Sequence, residues 1–238
     1  MIEAITFDLW NTLITNKSYS KERLQFFFQF LQEREIFIPF DELQNAYEER
    51  FHFSEVTFEE IEFRHIYTRD RILNVLNEIN IEISKTNLDI LREELESMML
   101  KDPPQLKQGV KKTLEELAPR YKIGLISNTG VTPGPIIRKI LDIHDILDFF
   151  DIAVFSDESG FFKPHLSMFK IPLEKLECKA QNAIHVGDML ETDIKGANES
   201  KMYSVWINDS NSPKSKTIQP DYEILKIYEI IQIVRDLS

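Results

Sequence analysis

Six residues that can carry charge or donate hydrogen bonds stand at or just beyond the ends of short hydrophobic runs. They are Asp8, Ser127, Asn128, Lys163, Asp188 and Asp193. In open α/β sheets, ligands bind in the crevice outside the carboxyl ends of the strands. If the hydrophobic runs form one such sheet, we expect three carboxylates, a lysine, a hydroxyl and an amide to meet in a single site.

This combination of groups suits phosphoryl transfer. A carboxylate such as Asp8 can attack phosphorus and form an aspartyl-phosphate. Because the attack brings two anions together, a cation must neutralise them, and Asp8 and Asp188, aided by Asp193, offer the hard oxygen ligands that Mg²⁺ prefers. Lys163 supplies a fixed positive charge, and the Ser127 hydroxyl can hold phosphoryl oxygens.

The runs that position these residues predict a parallel sheet. They are rich in Ile, Val and Phe and bounded by polar or turn residues, as buried parallel strands are. They cover residues 3–9, 122–128, 152–157, 183–188 and 203–208. Helical segments separate the last four, for example 191–200, and another, 109–120, precedes them. The alternation predicts an α/β fold with a doubly wound, mostly parallel, Rossmann-like sheet.

Between the first run and residue 105 the pattern becomes helical throughout. Four stretches carry helical periodicity with charged outer faces, at residues 20–34, 39–51, 57–79 and 84–100. The paired prolines Pro103 and Pro104 exclude a continuing helix beyond them. We therefore expect an α/β core formed by residues 1–13 and 106–238, with an all-helical cap domain inserted at 14–105.

Four segments surround the candidate site residues: "FDLWNTL" (7–13), "LISNTG" (125–130), "GFFKPHLSMF" (160–169) and "HVGDMLETDIKGA" (185–197). With these segments the sequence resembles the haloacid dehalogenase superfamily of hydrolases, in the branch with a helical cap inserted after the first strand. The first segment resembles the family's nucleophile motif, the second its hydroxyl-bearing motif, the third its lysine motif and the fourth its acidic motif. Each motif is weak alone, but the four occur in the family's order and cover nearly the whole chain.

The resemblance implies a role for each matched residue. Asp8 is expected to be the nucleophile and a Mg²⁺ ligand, Ser127 and Lys163 to contact the phosphate, Asp188 and Asp193 to be the acids of the metal site, and Trp10 to offer its backbone carbonyl to Mg²⁺. Asn128 and Thr12 are further candidates for phosphate contacts, although turn residues of these types also satisfy local backbone. His185, on an apolar strand, is expected to be a hydrogen-bonded core histidine.

Trp10 departs from the family's phosphatases, which usually carry a second Asp there. That Asp protonates the leaving group, and an indole N–H is far too weak an acid to replace it. Losing a general acid lowers the rate by about 10²- to 10⁴-fold. The favoured interpretation is a Mg²⁺-dependent phosphohydrolase of small phosphorylated metabolites. Two alternatives stay open: a metal-free 2-haloacid dehalogenase, whose halide needs no proton, and a catalytically silent phosphate-binding protein.

Composition sets the remaining expectations. The chain has 238 residues, 42% of them hydrophobic and 29% charged, and its net charge of -12 disfavours binding to nucleic acid or anionic membranes. The single cysteine, Cys178, cannot form an internal disulfide, which fits a reducing cytoplasm. The sequence starts directly with a strand and has no apolar run of membrane-spanning length. We expect a cytoplasmic monomer or homodimer whose partner is a small phosphorylated substrate.

Overall fold

A six-stranded parallel sheet forms the centre of the molecule. The computed structural model describes residues 1–51 and 61–237. The strands are β1 (Ala4–Phe7), β2 (Lys122–Ser127), β3 (Ile152–Phe155), β4 (Ala183–Gly187), β5 (Tyr203–Ile207) and β6 (Tyr222–Ile224). Their order is β3-β2-β1-β4-β5-β6 and every pair is parallel. The predicted α/β sheet is confirmed.

Apolar side chains cover both faces of the sheet. Successive residues of a strand point to opposite faces, and accordingly Ile5 and Phe7 belong to one hydrophobic cluster whereas Ala4 belongs to another. The first cluster is completed by α5 (Val110–Leu117), α6 (Gly134–Ile143) and α10 (Ile230–Leu237). The second is completed by α8 (Ser167–Lys175) and α9 (Lys195–Glu199). The sheet is therefore doubly wound, as the alternating pattern predicts.

The strand boundaries differ from the predicted ones in two respects. The predicted run 152–157 stops at Phe155, because residues Ser156–Ser159 form a short helix, α7. The prediction of five strands missed β6, which pairs with β5 through only three residues. A strand this short contains too few residues to show a hydrophobic pattern of its own.

Helices α1 (Ser20–Gln32), α2 (Phe40–Arg50), α3 (Thr68–Glu78) and α4 (Lys85–Ser97) lie between β1 and β2 in the chain. They share a hydrophobic cluster that includes Phe27, Tyr47, Ile72 and Leu91, each at most 1% exposed. We call these four helices and their connections the helical module. Within the described residues, no helix is both long and apolar enough to cross a membrane.

The helix predicted over 57–79 is wrong at residues 61–67. Residues 57–60 lie outside the described residues, and the helix begins only at Thr68. Glu62 and Phe63 have positive φ angles of 54° and 58°, which end helical geometry. The backbone here pairs with the loop before Lys163 instead: Phe162 N donates to Phe63 O (2.6 Å) and His65 N donates to Gly160 O (2.8 Å). Tertiary pairing thus overrides the local pattern.

Candidate active site

The predicted site residues converge because of the strand order. Asp8 follows β1, Asn128 follows β2 and Asp188 follows β4, and these three strands are neighbours with β1 in the middle. Parallel neighbours end at the same edge of a sheet. Lys163 reaches this edge from the loop between β3 and α8, and Asp193 lies in a π-helical turn, Leu190–Ile194, after β4.

Lys163 is the centre of the site. Its ammonium nitrogen Nζ donates to Asp8 Oδ1 (2.5 Å), Asp193 Oδ1 (2.7 Å) and the carbonyl oxygen of Ile126 (2.9 Å). The side chain is 2% exposed. Burial by itself lowers the pKa of Lys163, but Asp193 and Asp8 outweigh burial and raise it. Lys163 is therefore charged at neutral pH and holds two carboxylates in fixed positions.

Asp193 is hydrogen-bonded through both oxygens. Oδ1 accepts from Lys163 and lies 3.3 Å from His185 Nε2, and Oδ2 accepts from the Met189 backbone N–H (3.0 Å). Burial raises the pKa of Asp193, but Lys163 and His185 outweigh burial and lower it below its ordinary value. Asp193 is therefore ionised across the physiological range.

His185 orients Asp193 from within the sheet. It is fully buried, and burial lowers its pKa, so the ring is neutral near pH 7. A neutral imidazole has one N–H, which we place on Nε2 facing Asp193. Nδ1 then accepts from the Thr6 hydroxyl at 2.9 Å. The predicted core histidine is therefore also a contact of the site.

Asp8 and Asp188 carry charge that the described protein groups do not balance. Burial raises the pKa of Asp8 to about 7 and that of Asp188 to about 6, in both cases with a contribution from Asp193. Asp8 Oδ2 is buried without a hydrogen-bond partner among the described residues. Each of the three carboxylates offers one oxygen, and these oxygens lie within 4.8 Å of one another. When all three are ionised, three carboxylates against the one ammonium of Lys163 leave two negative charges, which matches a divalent cation with hard oxygen ligands.

Trp10 connects the loop after β1 to the loop after β2. Its indole N–H donates to the carbonyl oxygen of Asn128 at 3.0 Å. Asn128 in turn holds the lysine loop, because its Oδ1 accepts from the Lys163 backbone N–H (2.7 Å) and its Nδ2 donates to the Lys163 carbonyl oxygen (3.4 Å). The indole N–H is thus engaged within the protein.

Ser127 and Thr12 differ in placement from the other predicted residues. Both are buried, and neither lines the cavity beside Asp8. The Ser127 hydroxyl lies 3.4 Å from the carbonyl oxygen of Asn128. Thr12 Oγ1 has no hydrogen-bond partner among the described residues. The structure therefore brings Asp8, Trp10, Asn128, Lys163 and the two acidic-motif aspartates to the cavity wall, with Ser127 and Thr12 behind it.

The cavity itself has a volume of about 540 Å³, within the range of about 300–1,000 Å³ that small-molecule sites occupy. The helical module contributes Arg23 and Arg71 to its wall, and the segments on either side of the module contribute Tyr19 and Met99. Sequence reasoning did not single out the two arginines. The sequence feature that could have identified Arg23 is its position four residues before Phe27, which places both side chains on the buried face of α1.

Comparisons with known proteins agree with this geometry. Residues 2–201 match a family model described as haloacid dehalogenase-like hydrolase. Glyceraldehyde 3-phosphate phosphatase of Methanocaldococcus jannaschii is 37% identical over 130 residues, which are 53% of this chain and 55% of that protein. Ribulose-1,5-bisphosphate 5-phosphatase of Halopiger xanaduensis is 36% identical over 100 residues, 42% of this chain and 41% of that protein. The match thus spans about half the length of these two curated relatives, or less.

Solved structures share the fold over the whole chain. A 2-haloacid dehalogenase from Pseudomonas syringae matches with a TM-score of 0.75 at 22% identity, covering 100% of both chains. An HAD phosphatase from Thermococcus onnurineus matches with a TM-score of 0.61 at 25% identity, covering 98% of both chains. Phosphatases and dehalogenases therefore have the same architecture, so the fold alone does not distinguish the two chemistries and only the residues of the site can.

Proposed function

Because this chain belongs to the haloacid dehalogenase-like hydrolases, we propose that it hydrolyses phosphate esters of small metabolites through Asp8, with Mg²⁺ held in the site. The observation that carries the proposal is the unbalanced acidic cluster beside the buried Lys163. A metal-free dehalogenase has no group to neutralise the two excess negative charges, whereas a phosphatase neutralises them with its metal. The phosphatase activities named for the two curated relatives support the same conclusion.

The donor set fits a hard divalent cation. Asp8 and Asp188 would hold it with the backbone carbonyl of Trp10, and Asp193 would support the site from its bonds to Lys163 and Met189. When bound, Mg²⁺ supplies positive charge that offsets the charge of the phosphate and favours ionised carboxylates. Asp8 Oδ2, which has no partner among the described residues, is the oxygen best placed to receive it.

Asp8 would carry the covalent chemistry. Its carboxylate attacks phosphorus and the P–O bond to the leaving group breaks, which leaves an aspartyl-phosphate and an oxyanion that takes its proton from water. Water then attacks the same phosphorus atom, releasing inorganic phosphate and regenerating the carboxylate. Lys163 fixes the orientation of Asp8 through their 2.5 Å hydrogen bond and places a positive charge beside the transferred group.

The other predicted phosphate contacts have unequal support. Thr12 Oγ1 has no partner among the described residues, but it is buried behind the cavity wall and would reach a ligand only after a local rearrangement. Asn128 lines the cavity, although its side chain is engaged with the Lys163 backbone. The Ser127 hydroxyl lies behind the wall and would reach the phosphate only after a local rearrangement.

Trp10 determines which substrates would react quickly. Its indole N–H is donated to Asn128, so the position supplies no proton to the leaving group. Phosphates whose leaving groups depart without a proton, such as aryl and acyl phosphates, should therefore react faster than alkyl phosphates by up to about 10²- to 10⁴-fold. Slow turnover of sugar-type phosphates follows from the same argument.

We further propose that the helical module is a cap domain. It would occupy residues 14–105, with the core formed by 1–13 and 106–238. Two observations support this division: the module has its own hydrophobic cluster, and it contributes side chains to the cavity wall beside Asp8. A cap placed in this way excludes water and contacts the part of the substrate that does not react.

A screen of phosphate esters and 2-haloacids, each with Mg²⁺ and with EDTA, tests the proposed function. We expect phosphate release only with Mg²⁺. Halide release unaffected by EDTA would identify a dehalogenase instead, and no turnover of any substrate would identify a silent phosphate binder.

Asp8→Asn tests the nucleophile, because an amide is a poor nucleophile of nearly the same shape. The variant should fold and lose turnover, and beryllium fluoride with Mg²⁺ should add its phosphoryl mimic to Asp8 of the wild type only. Asp145→Asn, at an exposed position paired with Lys111, is the matched control and should keep full activity. Full activity in Asp8→Asn would refute the scheme.

A further inference from the structure

Two buried guanidinium groups line the cavity from the helical module. Arg23 of α1 is 8% exposed and Arg71 of α3 is 5% exposed. Charged side chains are rarely buried to this degree unless they are paired or bind a ligand. They lie on the same cavity wall as the phosphate-site residues, but on a different element of the fold.

Arg23 is hydrogen-bonded only to neutral acceptors. Its Nε donates to the Leu95 carbonyl oxygen (3.1 Å) and its Nη2 donates to Thr132 Oγ1 (2.8 Å). In the described part of the chain, no acceptor bonds its Nη1 and no carboxylate forms an ion pair with it. A buried charge without a bonded opposite charge is destabilising, and Glu22 and Glu96 raise the pKa of Arg23 without forming an ion pair with it. Burial lowers the pKa of Arg23, yet a guanidinium with its ordinary pKa far above neutrality stays protonated.

Arg71 adds a second positive charge near the first. Its Nε donates to Ile66 O (3.2 Å) and its Nη1 to Phe51 O (2.7 Å). Burial lowers the pKa of Arg71 to about 10, and Arg23 adds to the lowering. Arg71 thus places a second guanidinium on the lining of the cavity that Arg23 also lines.

The bond from Arg23 to Thr132 also locates this group in the cavity. Thr132 belongs to the loop after β2, the same loop that contributes Asn128 to the phosphate end. The remaining wall contains apolar and aromatic side chains, including Trp10, Tyr19, Met99 and Phe162. The cavity thus has an anion-binding end at Lys163, an apolar lining and a cationic group from the helical module.

We propose that Arg23, supported by Arg71, is a subsite for a second anionic group of the substrate. The substrate class is a small phosphate ester whose short carbon chain carries a carboxylate or a second phosphate. The planar fork of a guanidinium binds either group through two parallel hydrogen bonds. This inference rests on the proposed function, since it assumes that the phosphate is held beside Asp8 and Lys163.

Calorimetric binding of unreactive phosphonates, with Mg²⁺ in excess, tests the subsite without requiring turnover. Phosphonoacetate, phosphonopropionate and phosphonobutyrate are each compared with the alkylphosphonate of the same chain length. We expect at least one phosphonocarboxylate to bind about 10- to 100-fold more tightly than the alkylphosphonate of the same chain length, because a hydrogen bond to a charged group contributes that much. The corresponding alkane diphosphonates distinguish a second phosphate from a carboxylate.

The variants identify the residue responsible. Arg23→Met should lose most of the preference for the acid while binding the alkylphosphonate as the wild type does, and Arg23→Lys should keep a reduced preference. Arg50→Met removes an exposed arginine of the same module, paired with Glu78, and should keep the full preference.

If the wild type bound each phosphonocarboxylate no more tightly than the alkylphosphonate of the same chain length, the subsite would be overturned. This result needs no folded variant. Retention of the full preference in a folded Arg23→Met would overturn it as well. Failure of every phosphonate to bind would instead contradict the phosphate site itself, and with it the proposed function.

Discussion

Replacing Lys163 with methionine removes a positive charge from the acidic cluster while keeping a side chain of similar length. Lys163 bonds Asp8, Asp193 and the Ile126 carbonyl oxygen, and its side chain is 2% exposed. In the variant, without metal, the carboxylates of Asp8, Asp188 and Asp193 face one another with no cation in contact. The free energy of unfolding should fall because buried charges are left unpaired.

The size of the effect follows from the burial of the pair. Removing one partner of a buried ion pair costs about 3–5 kcal/mol, and we expect this loss at about pH 8. The loss should shrink at lower pH. Asp193 is ionised in the wild type because Lys163 and His185 outweigh burial and lower its pKa, whereas in the variant the pKa rises and Asp193 takes up a proton. While the folded variant binds one more proton than the unfolded chain, its free energy of unfolding rises by about 1.4 kcal/mol for each unit by which the pH falls.

Urea unfolding in EDTA at about pH 8 and about pH 6 measures both quantities. The difference between wild type and Lys163→Met should decrease by up to roughly 3 kcal/mol across those two pH units. Lys111→Met, which breaks an exposed pair with Asp145, should lose about 0–1 kcal/mol at either pH. An equal loss at both pH values in Lys163→Met would refute the reasoning, since it would mean that no buried carboxylate titrates in response to the missing charge.

Three further predictions concern the metal and the leaving group. Asp188→Asn should weaken Mg²⁺ binding markedly in a calorimetric titration, and unchanged affinity would place the metal elsewhere. The pKa values of Asp8 (about 7) and Asp188 (about 6) are raised above the unfolded value of 3.8, so protonation of these groups stabilises the metal-free protein. This contribution is fully present below pH 3.8 and is lost as the pH rises through 6 and 7. Because protons compete with the metal, the increase in Tm caused by Mg²⁺ should be larger at about pH 8 than at about pH 5, and a pH-independent increase would argue against these ligands. Trp10→Asp should accelerate alkyl-phosphate hydrolysis by up to about 10²- to 10⁴-fold and leave aryl phosphates nearly unchanged; a folded, Mg²⁺-binding variant without that gain would contradict the assigned role of the position.

The strands and the residues at their ends could be predicted from the sequence because both signals are local. β1 is a short apolar run followed directly by Asp8, and β4 is one that ends at Gly187 and is followed by Asp188. Parallel packing brings such strand ends together. By contrast, β6 is a strand only because β5 lies beside it. The helical start at Thr68 likewise depends on pairing with a loop that the local pattern does not contain.

Arg23 shows why the cavity wall was harder to predict. Helical periodicity places it on the buried face of α1, but its partner Thr132 is 109 residues away in the chain. No local pattern states which buried charge will contact a cavity. His185 is a similar case, because its bond to Asp193 depends on the π-helical turn that returns the carboxylate to β4.

The central place of β1 has a consequence for folding. Its two neighbours are β2, which begins at residue 122, and β4, which begins at residue 183, so the contacts that hold it are distant in sequence. Such contacts form slowly, since loop-closure entropy must be lost before they form. The helical module, whose contacts are local, should be structured before the sheet closes.

The bond between Lys163 and Asp8 joins residues 155 positions apart, and together with the bond from Lys163 to Asp193, which follows β4, it requires the strands on both sides of β1. A ligand that bridges Asp8 and Asp188 therefore binds only chains whose sheet is complete, and it shifts the folding equilibrium toward them by mass action. Recovery of Mg²⁺ binding during refolding should accordingly lag behind recovery of helical circular dichroism.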